Sequence, residues 1–176
     1  MKILNYLKRT LSSPSKFPSY MREMGVEIGE GCHVYNTVKF FGEPYLIKIG
    51  NHVRINAGVE LITHDGGLWV LRHLQKQFEK ADLFGKIVIE DNVHIGTNAI
   101  IMPGVTIGKN SIVACGAVVT KSAPPNSVIA GVPAKVIESI EEYADKVAPY
   151  CVSTKGMSKA EKKEYIISNN IPMKSR

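Results

Sequence analysis

Aliphatic residues recur along this chain at intervals of six. Ile89, Ile95, Ile101, Ile107, Val113 and Val119 follow one another without a miss. Four residues after each stands a small or β-branched residue: Val93, Ala99, Val105, Ser111, Ala117 and Ala123. The same frame holds at Ile49, Ile55 and Leu61, followed by Val53 and Val59. Earlier it holds at Ile28, Val34 and Phe40, followed by Cys32 and Val38. Three extra residues precede Ile49. A longer insertion separates Leu61 from Ile89, where Leu83 and Ile87 offer one further repeat.

A period of six fits neither the helix, at about 3.6 residues, nor simple strand alternation, at about two. It fits short strands joined by regular turns. The third residue after each aliphatic supports this, being Gly31, Gly58, Asn92, Asn98, Gly104, Asn110 or Gly116. Glycine and asparagine tolerate the positive φ that a sharp corner needs. Three such corners close a triangular coil of about 18 residues, a repeat architecture rather than a mixed fold. Successive coils then pair backbone to backbone about 4.8 Å apart. The reading is an all-β, single-stranded parallel β-helix over 26–137, with short terminal helices.

The ends break the pattern. Residues 2–11 place Ile3, Leu4, Leu7 and Leu11 on one helical face opposite Lys8 and Arg9. They read as a cap on the open end of the coil, or as a basic amphipathic helix making peripheral membrane contact. Pro14 and Pro18 mark a linker, so 1–25 form a helix and linker. Beyond the coil, 138–176 read as a helical tail covering the other end or a neighbouring subunit. A helix is expected at 138–147 and another at 159–168 behind a Ser158/Glu161 capping box. Residues 65–82 carry the only tryptophan, Trp69, with Leu71, Leu74 and Phe78. That is too apolar for disorder, and predicts an ordered arm.

Composition narrows the classes. The 176 residues, 44% hydrophobic and 22% charged, suit one globular domain. No apolar run is long enough to cross a bilayer, and no signal peptide is legible. Cys32, Cys115 and Cys151 form no CxxC pair, and an odd count suits a reducing cytoplasm. The net charge of +6 is concentrated at the two ends around a mildly acidic middle. A nucleic-acid binder would carry a basic stripe on the ordered domain instead, so no nucleic-acid partner is expected.

Five histidines are candidates for chemistry: His33, His52, His64, His73 and His94. His33 and His94 occupy variable outward positions, and His73 lies in the arm. His52 and His64 fall at corner positions where Gly or Asn dominates, and a local rule broken marks a functional site. His64 stands in THDGG, where the frame then fails. Glu43 occupies the third position after Phe40, one coil before His64. No His pair has zinc-ligand spacing, so no metal is expected. GVTIGKNS at 104–111 is one residue short of a phosphate loop, and its glycines are repeat corners.

With those motifs in place, the chain resembles the hexapeptide-repeat acetyltransferases over roughly 26–137. Residues 85–137, from GKIVIEDNVHIG to AGVPAKVI, are similar to the C-terminal half of the galactoside, maltose and serine O-acetyltransferases. The resemblance implies a left-handed coil, a homotrimer with active sites between subunits, and acetyl-CoA as acyl donor. It implies His64 as general base for a hydroxyl acceptor, a task suited to imidazole near neutral pH. The orienting acceptor for the base is either Asp65, as in the His-Asp pair of the serine enzymes, or Glu43. For the cofactor, Thr97 matches a small hydroxyl residue beside the pantetheine arm, and Cys115 and Gly116 match an Ala-Gly pair. Thr120 and Lys121 match a Thr-Lys pair, with the lysine near the nucleotide phosphates. Lys135, in AGVPAK, replaces an arginine, while Glu138 stands where the galactoside enzymes carry a basic residue. Asn36 and Tyr45 are candidates for acceptor binding. Trp69 is a candidate for stacking on a sugar or packing on a neighbouring subunit. The expected reaction is acetylation of a sugar or saccharide precursor, of the kind used in polysaccharide biosynthesis. The rival acceptor is an antibiotic, and a non-catalytic scaffold is the remaining alternative.

Overall fold

The computed structural model describes residues 8–169, 171 and 173. Twelve short strands, taken in order, visit three sheets in rotation. The first strands of the coils are β1 (Glu27–Ile28), β4 (Ile47–Ile49), β7 (Ile87–Ile89) and β10 (Thr106–Ile107). The second are β2 (His33–Val34), β5 (Arg54–Ile55), β8 (His94–Ile95) and β11 (Ile112–Val113). The third are β3 (Lys39–Phe41), β6 (Glu60–Ile62), β9 (Ile100–Ile101) and β12 (Val118–Val119). Each strand pairs in parallel with its counterpart one coil away, in sheets β1-β4-β7-β10, β2-β5-β8-β11 and β3-β6-β9-β12. This is the parallel β-helix that the period of six requires.

The inward aliphatics Ile89, Ile95, Ile101, Ile107, Val113 and Val119 are completely buried. The small residues four places on make the matching floor: Val93, Ala99, Val105, Ser111 and Ala117 are all buried. Corners form where expected, with φ of 55° at Asn92, 58° at Asn98 and 56° at Asn110. Asn92, Asn110 and Asn126 also join into a side-chain ladder of 3.0 Å hydrogen bonds up one edge.

Four expectations change. Leu83 is 51% exposed and belongs to no strand; only Ile87 is inward, as the start of β7. No extra repeat therefore intervenes between Leu61 and Ile89: β7 pairs directly with β4, Ile49 opposite Ile89. The segment after Pro14 is not a plain linker, because α1 (Phe17–Glu23) forms there with Pro18 in its first turn, where a missing N–H costs nothing. Phe17 and Met21 of α1 are fully buried against the first coil, and the Pro14 carbonyl accepts from Val34 N–H at 2.8 Å. Helix α1 thus packs at the end of the coil where 2–11 were expected as a cap. Residues 2–7 of that segment lie outside the described residues, while 8–11 are helical with Leu11 79% exposed. Lastly, the coil ends in an antiparallel hairpin of β13 (Ser127–Gly131) and β14 (Ala134–Ser139). The helix expected at 138–147 thus starts two residues later, as α3 (Ile140–Val147).

The chain divides into a unit of residues 1–140 and a smaller one of 141–176. The α-helix α2 (Leu68–Leu74) belongs to the first, in the arm. In the second, α4 (Lys159–Ser168) starts at the anticipated capping box: Ser158 N–H donates to Glu161 Oε2 at 2.7 Å and Glu161 N–H to Ser158 Oγ at 3.3 Å. Those hydrogen bonds hold the Glu161 carboxyl below its usual range. Among the described residues no helix is long and apolar enough to cross a membrane.

Candidate active site

Both interruptions of the six-residue frame leave the coil at the same corner, on consecutive coils. The first follows β3 and comprises Gly42, Glu43 and the short turn Pro44–Leu46. The second follows β6 and comprises Thr63, His64 and the arm. Strands β3 and β6 pair in register, Phe40 opposite Leu61 and Phe41 opposite Ile62. The residues next in line must therefore stack across one inter-strand spacing.

They do. Thr63, fully buried, accepts a hydrogen bond from Glu43 N–H at 3.0 Å. Its hydroxyl lies 2.8 Å from the Phe41 carbonyl and 3.0 Å from Glu43 Oε2. The same Oε2 stands 3.7 Å from His64 Nδ1, a buried nitrogen without a hydrogen-bond partner among the described residues. Gly42 makes this approach possible. At φ 80°, a side chain there would run into His64 Nδ1 and Thr63 Oγ1.

Asp65 is engaged elsewhere. Its Oδ1 accepts from Gly67 N–H at 2.7 Å and closes the turn leading into α2. Asp65 N–H donates to the Leu83 carbonyl, and Gly85 N–H to the Thr63 carbonyl at 2.8 Å, so the arm joins the coil through a narrow antiparallel neck. That neck corrects the corner argument for His64. His52 occupies a true left-handed corner at φ 54°, whereas His64 is not among the positive-φ residues. The chain departs from the coil at Thr63 and needs no sharp turn there. What distinguishes His64 is its setting at the root of the arm.

The arm folds over this corner and forms with it an open cavity of about 330 Å³ lined by Glu43, His64, Asp65, Trp69, Arg72, Asp82 and Phe84. Arg72 clamps the arm shut: Nε and Nη2 donate to the Ala81 carbonyl at 3.1 and 2.8 Å, and the guanidinium pairs with Asp82. Trp69 lines the cavity yet is 68% exposed, its ring 5.4 Å from that of His73.

The residues matched to a cofactor lie on other parts of the chain. Thr97 and Cys115 sit at the second corner of successive coils, where Gly116 N–H donates to the Thr97 carbonyl at 2.8 Å. Strand β9 separates that corner from the corner of His64. Cys115 is exposed and unpaired. Thr120 and Lys121 follow β12, and Lys135 lies on β14, which packs against β12; all three are exposed. Asn36 is remote from His64: its amide donates to the Thr10 carbonyl, and it lines a separate recess with Arg9 and Lys39. Tyr45, 71% exposed, is outside the lining of the cavity. His94 is half-buried; burial first and Arg54 second push its pKa down, keeping it neutral.

Thr63, Gly42 and Arg72 had no place in the sequence reading. Thr63 falls two residues after Leu61, a position that the frame turns outward in regular coils. Only the neck turns it in.

Residues 86–121 match the bacterial transferase hexapeptide family (six repeats). Protein CapG of Staphylococcus aureus is 47% identical over 167 residues, 94% of this chain and 92% of its own. The galactoside O-acetyltransferase of Escherichia coli (strain K12) is 35% identical over 150 residues, 74% of this chain and 72% of that one. A solved galactoside acetyltransferase in complex with coenzyme A aligns with a TM-score of 0.59 at 31% identity, over 90% of this chain and 86% of that one. On these likenesses and the repeat itself, the chain belongs to the hexapeptide-repeat acetyltransferases and is an acyltransferase.

Proposed function

We propose that the protein moves an acetyl group from acetyl-CoA to a hydroxyl of a sugar or saccharide precursor, with His64 as general base and Glu43 orienting it. The observation that carries this is the stacking of Glu43 on His64 at the mouth of the arm, with Oε2 3.7 Å from Nδ1. A carboxylate facing Nδ1 favours the tautomer protonated there and leaves Nε2 free to accept a proton. The acceptor oxygen attacks the thioester carbonyl as Nε2 takes its proton. The tetrahedral intermediate then collapses, the C–S bond breaks, and the imidazolium returns the proton to the CoA thiolate. Asp65, committed to Gly67 N–H, serves the arm. The sugar acceptor is supported by the likeness to the galactoside enzymes, and a role in polysaccharide biosynthesis is the reading it suits. Acetyl-CoA is likewise supported by the CoA complex of such an enzyme.

The division of residues between two corners supports a left-handed homotrimer of the family type, in which a neighbour's Thr97 and Cys115 edge faces His64. Light scattering is expected to give a mass three times the 19.3 kDa of one chain; a stable monomer at micromolar concentration would refute it. Three unpaired thiols suit a cytoplasmic enzyme.

Acetyl-CoA with a panel of sugars, nucleotide sugars and antibiotics, followed by release of free thiol, tests the reaction. Turnover confined to the antibiotics would replace the sugar acceptor. Lys121 and Lys135 are assigned to the CoA phosphates. Lys121→Gln and Lys135→Gln should each raise KM for acetyl-CoA more than they lower kcat, and dephospho-CoA should abolish the effect for whichever lysine meets the 3′-phosphate. An unchanged KM in both would overturn the assignment.

A further inference from the structure

Thr63 is a fully buried polar side chain that the acetyl-transfer scheme leaves without a task. Its hydroxyl accepts from Glu43 N–H at 3.0 Å and has one proton to give. Two acceptors lie within reach, the Phe41 carbonyl at 2.8 Å and Glu43 Oε2 at 3.0 Å. The one proton is shared between the two, and an ionised carboxylate is a stronger acceptor than a carbonyl, so Thr63 holds Oε2 by a charge-assisted hydrogen bond. Thr63 thus grips Glu43 twice, by backbone and by carboxylate. Glu43 Oε2 also faces His64 Nδ1, at 3.7 Å. Closing that gap to hydrogen-bond length, about 2.7–3.2 Å, takes a shift of under an ångström, and only from a carboxylate already held on the right side. Gly42 leaves the space in which it happens.

We infer that Thr63 is a positioning residue for the acyl transfer: it fixes the Glu43 carboxylate so that His64 is held with Nδ1 protonated and Nε2 free. The inference rests on the reading of His64 as base and Glu43 as its partner. Of the other charged groups lining the cavity, Arg72 pairs with Asp82 and Asp65 Oδ1 takes Gly67 N–H, while Glu43 is the carboxylate that faces Nδ1.

Thr63→Val removes the hydroxyl and keeps the branched shape; Thr63→Ser keeps the hydroxyl. Thr63→Val should lower kcat about tenfold, the scale of one hydrogen bond to a charged group, with KM for acetyl-CoA unchanged. Thr63→Ser should restore kcat. Added to Glu43→Gln, Thr63→Val should cost nothing further, since the hydroxyl acts through the carboxylate. Thr63→Cys, which keeps the volume and weakens the donor, carries the same expectation should Thr63→Val not fold. A folded Thr63→Val with wild-type kcat, a Thr63→Ser that restores nothing, or losses that multiply in the double variant would overturn the role. His64→Ala separates the two levels. If it retains wild-type turnover, the base reading itself falls. If it is crippled while Thr63→Val is neutral, only the role of Thr63 falls.

Discussion

His64→Ala lowers kcat by about 10²–10⁴-fold, the usual range for removing a general base, and leaves KM for acetyl-CoA nearly constant. The KM expectation follows from where the residues sit. His64 lines the cavity under the arm, whereas the residues assigned to CoA lie at the second corner and around β12 and β14. The wild-type kcat/KM should rise with pH as a general base requires, and the variant should lose that rise. His52→Ala is the contrast. His52 occupies a left-handed corner at φ 54°, a strained place that alanine tolerates no better, and it lines no part of the His64 cavity. Its effect should be a modest loss of stability with turnover intact. If the two variants lose activity equally, His64 has no special claim.

Ile95→Ala destabilises the protein by about 2–5 kcal/mol, the cost of truncating a buried aliphatic to alanine. Ile95 is fully buried on β8, with Ile55 opposite it on β5 and Val113 on β11. A β-solenoid is held by nearest neighbours along one axis, so a void in an inner coil weakens the contacts above and below it together. Relaxation is limited, because the strands on either side are fixed by their own ladders. Ile28, in the first coil and 7% exposed, pairs with one strand among the described residues, so Ile28→Ala should cost less. Urea unfolding at a fixed protein concentration, with unchanged m-value, measures both. A loss below 1 kcal/mol for Ile95→Ala would mean that the coils collapse onto the void.

The coil was legible because its rule is local and repeated. Each aliphatic faces inward for the same reason as the last, and Asn92, Asn98 and Asn110 announce their corners by residue type alone. Legibility ended where the frame broke. Glu43 and Asp65 could not be separated as partners of His64, since three extra residues before Ile49 left the register of Glu43 open. The pairing of Phe41 with Ile62 resolves its position. Leu83 reads as a repeat position because it is aliphatic, yet it belongs to the neck, where its own side chain is half exposed. Helix α1 was hidden behind Pro14 and Pro18, since proline reads equally as a breaker and as a first-turn residue. Thr63 gave no signal of its own. Its burial depends on two insertions meeting at one corner.

That meeting point has a consequence for how such a protein can be altered. The chain leaves the coil at Thr63 and returns at Gly85, where Gly85 N–H and the Thr63 carbonyl close the gap at 2.8 Å. Strand β7 then resumes its pairing with β4, Ile47 opposite Ile87, as though nothing had intervened. The arm is therefore a cassette on a socket. A segment of different length or composition, grafted between Asp65 and Leu83, would leave the hydrogen-bonding of every coil and His64 itself in place while rebuilding the roof above that histidine. Exchange of this one segment offers a route by which acceptor preference could diverge among chains with the same scaffold and the same use of CoA.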